Sequence, residues 1–159
     1  MEGKNYIIRD HIIEHAGLAN SLLLSVSESI ACSAKLIVET IAAGGTVFVC
    51  GNGGSSSDSQ HFVGELVGRF SANRRPLRAI ALNSDTAVLT CISNDFGYEN
   101  IFARQLEGLS RNGDILIAIS SSGNSQNIIN VLQKSRDLGL PSIALLGNEG
   151  GKAVLLANQ

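Results

Sequence analysis

Four short apolar runs, each followed by a loop and a helical pattern, constrain the fold of this 159-residue chain most strongly. The runs are Thr46–Cys50, Arg78–Leu82, Asp114–Ile119 and Ser142–Leu146. Strands that are apolar on both faces are typical of a parallel sheet covered by helices on both sides. Helical patterns alternate with these runs, at residues 56–68, 85–93, 98–110 and 125–138. We therefore predict an α/β fold with a doubly wound parallel sheet.

A long helical region precedes this alternation. Residues 6–43 contain no proline, and their apolar residues recur every three or four positions, which predicts one or two long amphipathic helices. Gly44 and Gly45 would end them. Their apolar stripe is broader than one small sheet needs, so we expect them to pack beside the sheet or in an oligomer interface. We predict a single domain over 1–159, with helices in 1–43 and the α/β core in 45–159.

The C-terminal residues fit the pattern less well. Gly150 and Gly151 could open a helix that runs through Leu156, whereas residues 157–159 continue no pattern. A sheet of four strands also leaves one edge open, and an uncovered edge invites pairing with other chains. We expect that a last strand and helix are missing from this sequence.

Composition excludes several classes of protein. Hydrophobic residues make up 44% of the chain and charged residues 16%, as in a globular protein, and the net charge of −2 lacks the basic excess of a nucleic-acid binder. The charged N-terminus has no apolar core of a signal peptide. No run reaches the ~18 apolar residues of a membrane span. We expect a cytoplasmic protein without nucleic-acid or membrane partners.

The three cysteines, Cys32, Cys50 and Cys91, are odd in number and widely spaced. They form neither a disulfide framework nor a CxxC metal motif. We expect them to be small buried apolar residues in a reducing compartment.

Two loops at predicted strand ends are suited to polar ligands, which open α/β sheets bind at the carboxyl ends of their strands. In Cys50–Ser59, glycines allow close approach of a ligand and serines lead into a helix N-terminus. A plain turn with a helix N-cap explains this loop equally well. In Ser120–Ser125, four hydroxyls and a glycine precede a helix. Capping needs one serine, so we favour phosphate binding over a bare turn. Neither a Walker A nor a GxGxxG motif is present, which disfavours a nucleotide.

His61 and Glu65 are four residues apart on the predicted helix after the first loop, so both lie on one face. They could share a divalent metal such as zinc, or Glu65 alone could be a general base at carbon. A surface pair without function is the alternative, since zinc sites usually have three or four protein ligands. His11 and His15 have the same spacing, and we expect them to be solvated.

Ser93–Tyr98 interrupts a helix that we expect to end near Ile92. Asn94 and Asp95 in this segment could bind sugar hydroxyls. Asparagine, aspartate and glycine also form turns without any function, and the sequence leaves both readings open.

Taken together, these segments resemble the sugar isomerase (SIS) domain, and within it the phosphoheptose isomerases. The matching segments lie in order from about residue 45 to the end of the chain: Gly51–Phe70, Ala79–Thr86, Ser93–Tyr98 and Ile119–Ser125. The resemblance implies an aldose–ketose isomerisation of sedoheptulose 7-phosphate to D-glycero-D-manno-heptose 7-phosphate through an enediol. It also implies a zinc ion in each subunit, a homotetramer with active sites at subunit interfaces, and a role in the biosynthesis of surface heptose or lipopolysaccharide.

The resemblance also implies roles for individual residues. His61 and Glu65 match zinc ligands, and Glu65 also matches the catalytic base. The positions that match substrate-binding residues are Asn52, Gly53, Gly54, Glu65, Asn94, Asp95, Ser120, Ser121, Ser122 and Ser125. The family usually has threonine where Ser121 stands, which keeps the hydroxyl. It completes its metal site with a glutamine and a histidine on a C-terminal helix, and this sequence has no match for them.

Two other functions compete with this isomerase. One is a non-catalytic SIS module that senses a sugar phosphate or binds a protein such as the bacterial replication initiator. The other is an SIS enzyme that acts on a hexose or pentose phosphate. The presence of both His61 and Glu65 favours the phosphoheptose isomerase over both.

Overall fold

The computed structural model describes residues 2–159, with side chains from Tyr6 onward. Its elements, in chain order, are α1 (Glu2–Ser25), α2 (Ser27–Ala42), β1 (Val47–Gly51), α3 (Gly54–Val67), β2 (Ala79–Ala81), α4 (Thr86–Phe96), α5 (Ala103–Leu109), β3 (Ile115–Ser120), α6 (Gln126–Asp137) and β4 (Ser142–Leu146). Short 3₁₀ segments lie at Tyr98–Asn100 and Asn148–Leu155. Each of the four predicted strands is present.

The strands form one parallel sheet in the order β2-β1-β3-β4. Val47 in β1 is paired with Ala79 on one side and with Ile115 on the other. The chain therefore leaves β1 toward one edge of the sheet and later returns to build the other edge from β3. This confirms the predicted α/β fold with a doubly wound sheet.

The two faces of the sheet bury separate apolar layers, because successive strand side chains point to opposite faces. One layer contains Val47 and Val49 with residues of α2 and α3. The other contains Phe48 and Cys50 with residues of α5 and α6. Helices thus cover both faces of the central strands β1 and β3, which explains why these strands are uniformly apolar.

The described chain divides into two compact units, one ending at Lys35 and one running from Leu36 to Gln159. The predicted single domain over 1–159 stays a prediction. Within the first unit, large apolar side chains are exposed along the helices: Tyr6, Ile7, Ile8, Ile12, Ile13, Leu18, Leu22, Leu23, Leu24 and Ile30. Among the described residues no single helix is long and apolar enough to cross a membrane; α1 and α2 meet that test of length and composition only as a pair.

Three local predictions were wrong. Residues 98–110 form a 3₁₀ turn and a separate helix α5, with the buried Ile101 and Phe102 between them. Helix α4 continues past Ile92 to Phe96, and it ends where Gly97, at a φ of 85°, donates its backbone N–H to the Ser93 carbonyl. Beyond Gly150 the chain forms a 3₁₀ segment rather than a regular helix.

Residues near Gln159 continue along the outer edge of β4. The Ala144 backbone N–H donates to the Gln159 carbonyl at 2.9 Å, and the Asn158 N–H donates to the Ser142 carbonyl at 3.0 Å. The unpaired backbone N–H and C=O groups of an edge strand are available for this kind of hydrogen bonding.

The cysteines differ in their exposure. Cys50 is buried in β1, as predicted, whereas Cys32 and Cys91 are exposed on helices, so burial was wrongly predicted for both. All three are free thiols. Burial raises the pKa of the Cys50 thiol, which suppresses the reactive thiolate.

We expect Cys50 to resist iodoacetamide in the folded protein and to react in urea, as mass spectrometry of the labelled peptides would measure. Labelling of Cys50 at the same rate in both conditions would contradict its burial.

Candidate functional site

The loops after β1 and β3 are neighbours, because these two strands are paired along their full length. The chain order reverses between them, since β2 lies beyond β1 and β4 beyond β3. In open α/β sheets such a switch point forms a crevice at the carboxyl edge where ligands bind. The first loop (within Cys50–Ser59) and the serine loop (Ser120–Ser125) meet at this crevice.

In the first loop, Gly53 precedes α3 with a φ of 54° and a ψ of −121°, a backbone conformation that residues with a Cβ rarely adopt. Both Gly53 and Gly54 are exposed. Asn83, after β2, holds the first turn of α3 by donating its amide to the Ser56 carbonyl at 3.0 Å and to its hydroxyl at 2.8 Å. The glycines therefore leave the backbone accessible to a ligand at the N-terminus of α3, which Asn83 holds in place.

Asn52, directly after β1, makes hydrogen bonds to two distant parts of the chain. Its side-chain amide exchanges two hydrogen bonds of 2.9 Å with the amide of Asn127 in the first turn of α6. Its carbonyl oxygen also accepts a 3.0 Å hydrogen bond from the hydroxyl of Tyr98. Asn127 is 2% exposed. Asn52 is thereby connected to the helix that follows the serine loop and to the end of the Ser93–Tyr98 segment.

The serine loop is shaped by its own polar groups. The buried Ser120 hydroxyl accepts from the Gly123 backbone N–H at 3.1 Å, and the Ser122 hydroxyl accepts from the Asn124 N–H at 3.2 Å. Ser121 and Ser122 are exposed. Ser125 stands at the N-cap of α6, yet its hydroxyl makes no capping bond to the helix. The loop thus presents hydroxyls beside the free N–H groups of a helix N-terminus, a suitable environment for an anion.

His61 and Glu65 lie one turn apart on α3, with 3.2 Å between Nε2 and Oε1. The His61 side chain is 78% exposed and that of Glu65 is 38% exposed. They line an open cavity of about 390 Å³ whose other walls are Asp58, Phe62, Leu66, Phe70 and Arg74. This geometry agrees with the predicted pair on one helix face.

Within one chain, the pair is separated from the two loops. Glu65 is eleven residues beyond Gly54, the start of α3, which corresponds to roughly 16 Å along a helix that rises 1.5 Å per residue. None of the described residues that line the cavity belongs to the serine loop. The sequence motifs are therefore assembled around one crevice and one helix face, rather than in one closed pocket.

Arg74 anchors the C-terminal end of α3, a residue that the sequence analysis did not identify. Its guanidinium donates to the backbone carbonyls of Glu65 at 2.5 Å, Leu66 at 2.8 Å and Gly68 at 3.3 Å. These carbonyls lack helical partners, and the helix dipole favours a cation near them. Arg74 therefore fixes the turn that carries Glu65.

We expect Arg74→Ala to lower the free energy of unfolding by about 1–2 kcal/mol, because charged hydrogen bonds to the helix end are lost. Urea denaturation would measure this loss. The neighbouring Arg75→Ala is the matched control, and we expect it to change stability by less than about 0.5 kcal/mol, as for an ordinary surface position. Equal effects of the two substitutions would contradict a capping role for Arg74.

Asn94 and Asp95 lie in the last turn of α4 rather than in a loop beyond it. Both are exposed, and the Asn94 amide donates to the Asp95 carboxylate at 2.7 Å. The Cys91 thiol lies 3.8 Å from the same carboxylate. His11 and His15 are both exposed, as expected.

An imidazole nitrogen and a carboxylate oxygen suit zinc, so the His61–Glu65 pair fits part of a zinc site. The described residues contain no group of three or more histidine, cysteine, aspartate or glutamate side chains that could hold a metal ion. The pair therefore supplies two donors of the three or four that zinc usually takes from protein.

The chain as a whole is similar to known proteins of one family. The SIS domain family model matches residues 14–147. A phosphoheptose isomerase of Helicobacter pylori (strain P12) is 44% identical over 146 residues, which cover 92% of this chain and 76% of that protein. The phosphoheptose isomerase of Aliarcobacter butzleri is 46% identical over 149 residues, covering 94% and 78% of the two chains.

Two solved structures are also similar to this chain. The phosphoheptose isomerase of Neisseria gonorrhoeae superposes with a TM-score of 0.90 at 34% identity, over 98% of this chain and 81% of that one. The phosphoheptose isomerase of Francisella tularensis gives a TM-score of 0.91 at 36% identity, over 96% and 80% of the two chains.

Proposed function

This chain belongs to the phosphoheptose isomerases of the SIS domain family, and we propose that it converts sedoheptulose 7-phosphate to D-glycero-D-manno-heptose 7-phosphate. The observation that carries this proposal is that the chain combines Glu65, beside His61 at 3.2 Å, with a hydroxyl-rich loop at the switch point of the sheet. An aldose–ketose isomerase needs a base near the reacting carbons and a separate anchor for the distant phosphate.

The proposed chemistry moves one proton between adjacent carbons. Glu65 removes the proton from C1 of the ketose, the C–H electron pair forms the C1–C2 double bond, and the C2 carbonyl oxygen gains a proton to give the enediol. A proton returned to C2 and the loss of the proton on O1 then give the aldose. Glu65 is partly exposed, so a substrate can reach it. The developing negative charge on the sugar oxygens requires donors or a cation nearby.

The serine loop is the proposed phosphate anchor, with hydroxyls of Ser120, Ser121, Ser122 and Ser125 and the start of α6 as donors. Binding the phosphate far from the reacting carbons holds those carbons in position. Asn52, Gly53 and Gly54 would contact the substrate from the first loop. Asn94 and Asp95, exposed in the last turn of α4, are proposed to bind sugar hydroxyls.

We propose a zinc ion in each subunit, with His61 and Glu65 as two of its ligands. Zinc would polarise the sugar oxygens and stabilise their negative charge. The donor types favour this metal, and their spacing on one helix face lets both reach the same ion. Zinc content of the purified protein, measured by elemental analysis before and after His61→Ala, would test the assignment. Unchanged zinc in the variant would contradict it.

We also propose a homotetramer with active sites at subunit interfaces. Exposed apolar side chains along the first unit and the 83% exposed Phe70 beside the His61–Glu65 pair support association with further copies. A clean monomer by light scattering would contradict this assembly. We also propose a cytoplasmic location and a role in surface heptose or lipopolysaccharide biosynthesis, because the proposed substrate and product are phosphorylated heptoses.

The decisive test is turnover of sedoheptulose 7-phosphate, followed by NMR detection of the aldose product. Fructose 6-phosphate serves as the comparison substrate, and we expect it to react far more slowly. Faster turnover of fructose 6-phosphate would favour a hexose phosphate isomerase. Binding of sedoheptulose 7-phosphate without turnover would favour a non-catalytic SIS module, which the names of the relatives do not support.

A further inference from the structure

We propose that Tyr98 and Asn127 are positioning residues that hold the side-chain amide of Asn52 in one orientation for sugar-phosphate binding. This inference rests on the proposed function, because it assigns a task to two residues around the substrate loop. Neither residue belongs to the predicted substrate-binding set.

The first step of the argument is the burial of Asn127. It lies in the first turn of α6 at 2% exposure, on the same buried side as Val131 and Ser135. A buried side-chain amide without partners is costly, so its hydrogen bonds fix its neighbours as well. Both hydrogen bonds of its side-chain amide are made with Asn52. Helix α6 therefore provides a rigid, buried partner for a loop residue on another strand.

The second step is the third bond of Asn52. The Tyr98 hydroxyl donates to the carbonyl oxygen that also accepts from Asn127, so two donors share its two lone pairs. The amide nitrogen donates one hydrogen to Asn127, which leaves one N–H for a ligand oxygen. Three bonds thus restrict a short side chain that is otherwise free to rotate about two torsions.

The third step is the place of these residues in the fold. Asn52 directly follows β1, Asn127 lies just after the serine loop, and Tyr98 lies just after α4, whose last turn contains Asn94 and Asp95. The three residues therefore lie in or beside the three segments proposed to bind the substrate. A residue ordered before the ligand arrives avoids the entropic cost of ordering it on binding, which favours affinity.

A double-mutant cycle of Tyr98→Phe and Asn52→Ala tests the inference. Tyr98 is 57% exposed, so the phenylalanine variant removes a hydroxyl without opening a cavity. We expect Tyr98→Phe to lower kcat/KM for sedoheptulose 7-phosphate by roughly two- to tenfold, as for one neutral hydrogen bond. In the Asn52→Ala background the same change should have almost no further effect, because Tyr98 acts through Asn52.

Glu107→Gln, a surface substitution away from the crevice and the cavity, is the control, and it should leave kcat/KM unchanged. Equal effects of Tyr98→Phe in both backgrounds, or none in the parent, would overturn the inference. Asn127→Asp should lower kcat/KM in the parent and not in the Asn52→Ala background, with urea denaturation reporting its effect on folding separately.

The same variants separate this inference from the proposed function. If the parent protein does not turn over sedoheptulose 7-phosphate, the proposed function fails. Calorimetry then measures the affinity for sedoheptulose 7-phosphate of the parent, Tyr98→Phe, Asn52→Ala and the double variant. The same comparison of these four proteins tests the inference. Loss of affinity in Tyr98→Phe only when Asn52 is present would support it; equal loss, or no binding at all, would overturn it.

Discussion

Glu65→Gln is expected to lower kcat for sedoheptulose 7-phosphate by roughly 10²–10⁴-fold, the range attributed to a positioned general base. The amide keeps the size of the carboxylate and cannot accept the proton from carbon. The protein should stay folded, because the Glu65 side chain is 38% exposed and lies at the helix surface beside His61. Steady-state kinetics with the NMR assay and urea denaturation of the same preparation would measure both properties.

Glu107→Gln is the matched control for this substitution. Glu107 forms an ion pair with Lys134 at 3.1 Å and lines neither the crevice nor the cavity. We expect kcat within a factor of two of the parent, since a surface ion pair contributes roughly 0–1 kcal/mol to stability and none to this chemistry. Normal activity of Glu65→Gln would exclude Glu65 as the base.

Gly123→Ala is the second substitution with a large expected effect, because Gly123 lies at the centre of the serine loop. Gly123 has a φ of 61°, and an added Cβ would collide with the backbone carbonyl of Gly150. The left-handed backbone costs an alanine about 1–2 kcal/mol, and the collision adds about 1–3 kcal/mol. We expect the free energy of unfolding to fall by about 2–5 kcal/mol and the affinity for sedoheptulose 7-phosphate to fall with it, as urea denaturation and calorimetry would measure.

Gly139→Ala separates the two causes. Gly139 has a similar φ of 68° and nothing within 4 Å of the position that a Cβ would take. Its substitution should cost only the backbone term, about 1–2 kcal/mol, and leave substrate affinity unchanged. If both alanine variants lose the same stability, the close packing of Gly123 against Gly150 is not what shapes the serine loop.

The sheet could be predicted from the sequence because its signal is local. Each strand is a short apolar run, and burial of the two central strands, β1 and β3, on both faces leaves little ambiguity. The end of α4 could not be predicted, since Asn94 and Asp95 are typical of turns and yet lie in its last turn. Gly97 ends the helix there, and the exposed side chains of Asn94 and Asp95 lower the stability of the helix only slightly.

The candidate site was only partly predictable for a related reason. His61 and Glu65 are one helical turn apart, so their proximity follows from spacing alone. The contact of Asn52 with Asn127 spans 75 positions, which no local pattern specifies. One signal was present: Asn127 shares the buried side of α6 with Val131, and a polar residue on an apolar helix face requires a hydrogen-bond partner. The sequence could suggest that a partner exists, and only the fold identifies Asn52.

The most direct test of the central claim is the reaction of sedoheptulose 7-phosphate with the purified, zinc-supplemented protein, followed by NMR. The proposed isomerase should produce D-glycero-D-manno-heptose 7-phosphate until the two sugars reach equilibrium, and the Glu65→Gln variant should produce almost none. A folded protein that binds sedoheptulose 7-phosphate and leaves it unchanged would contradict the proposed function.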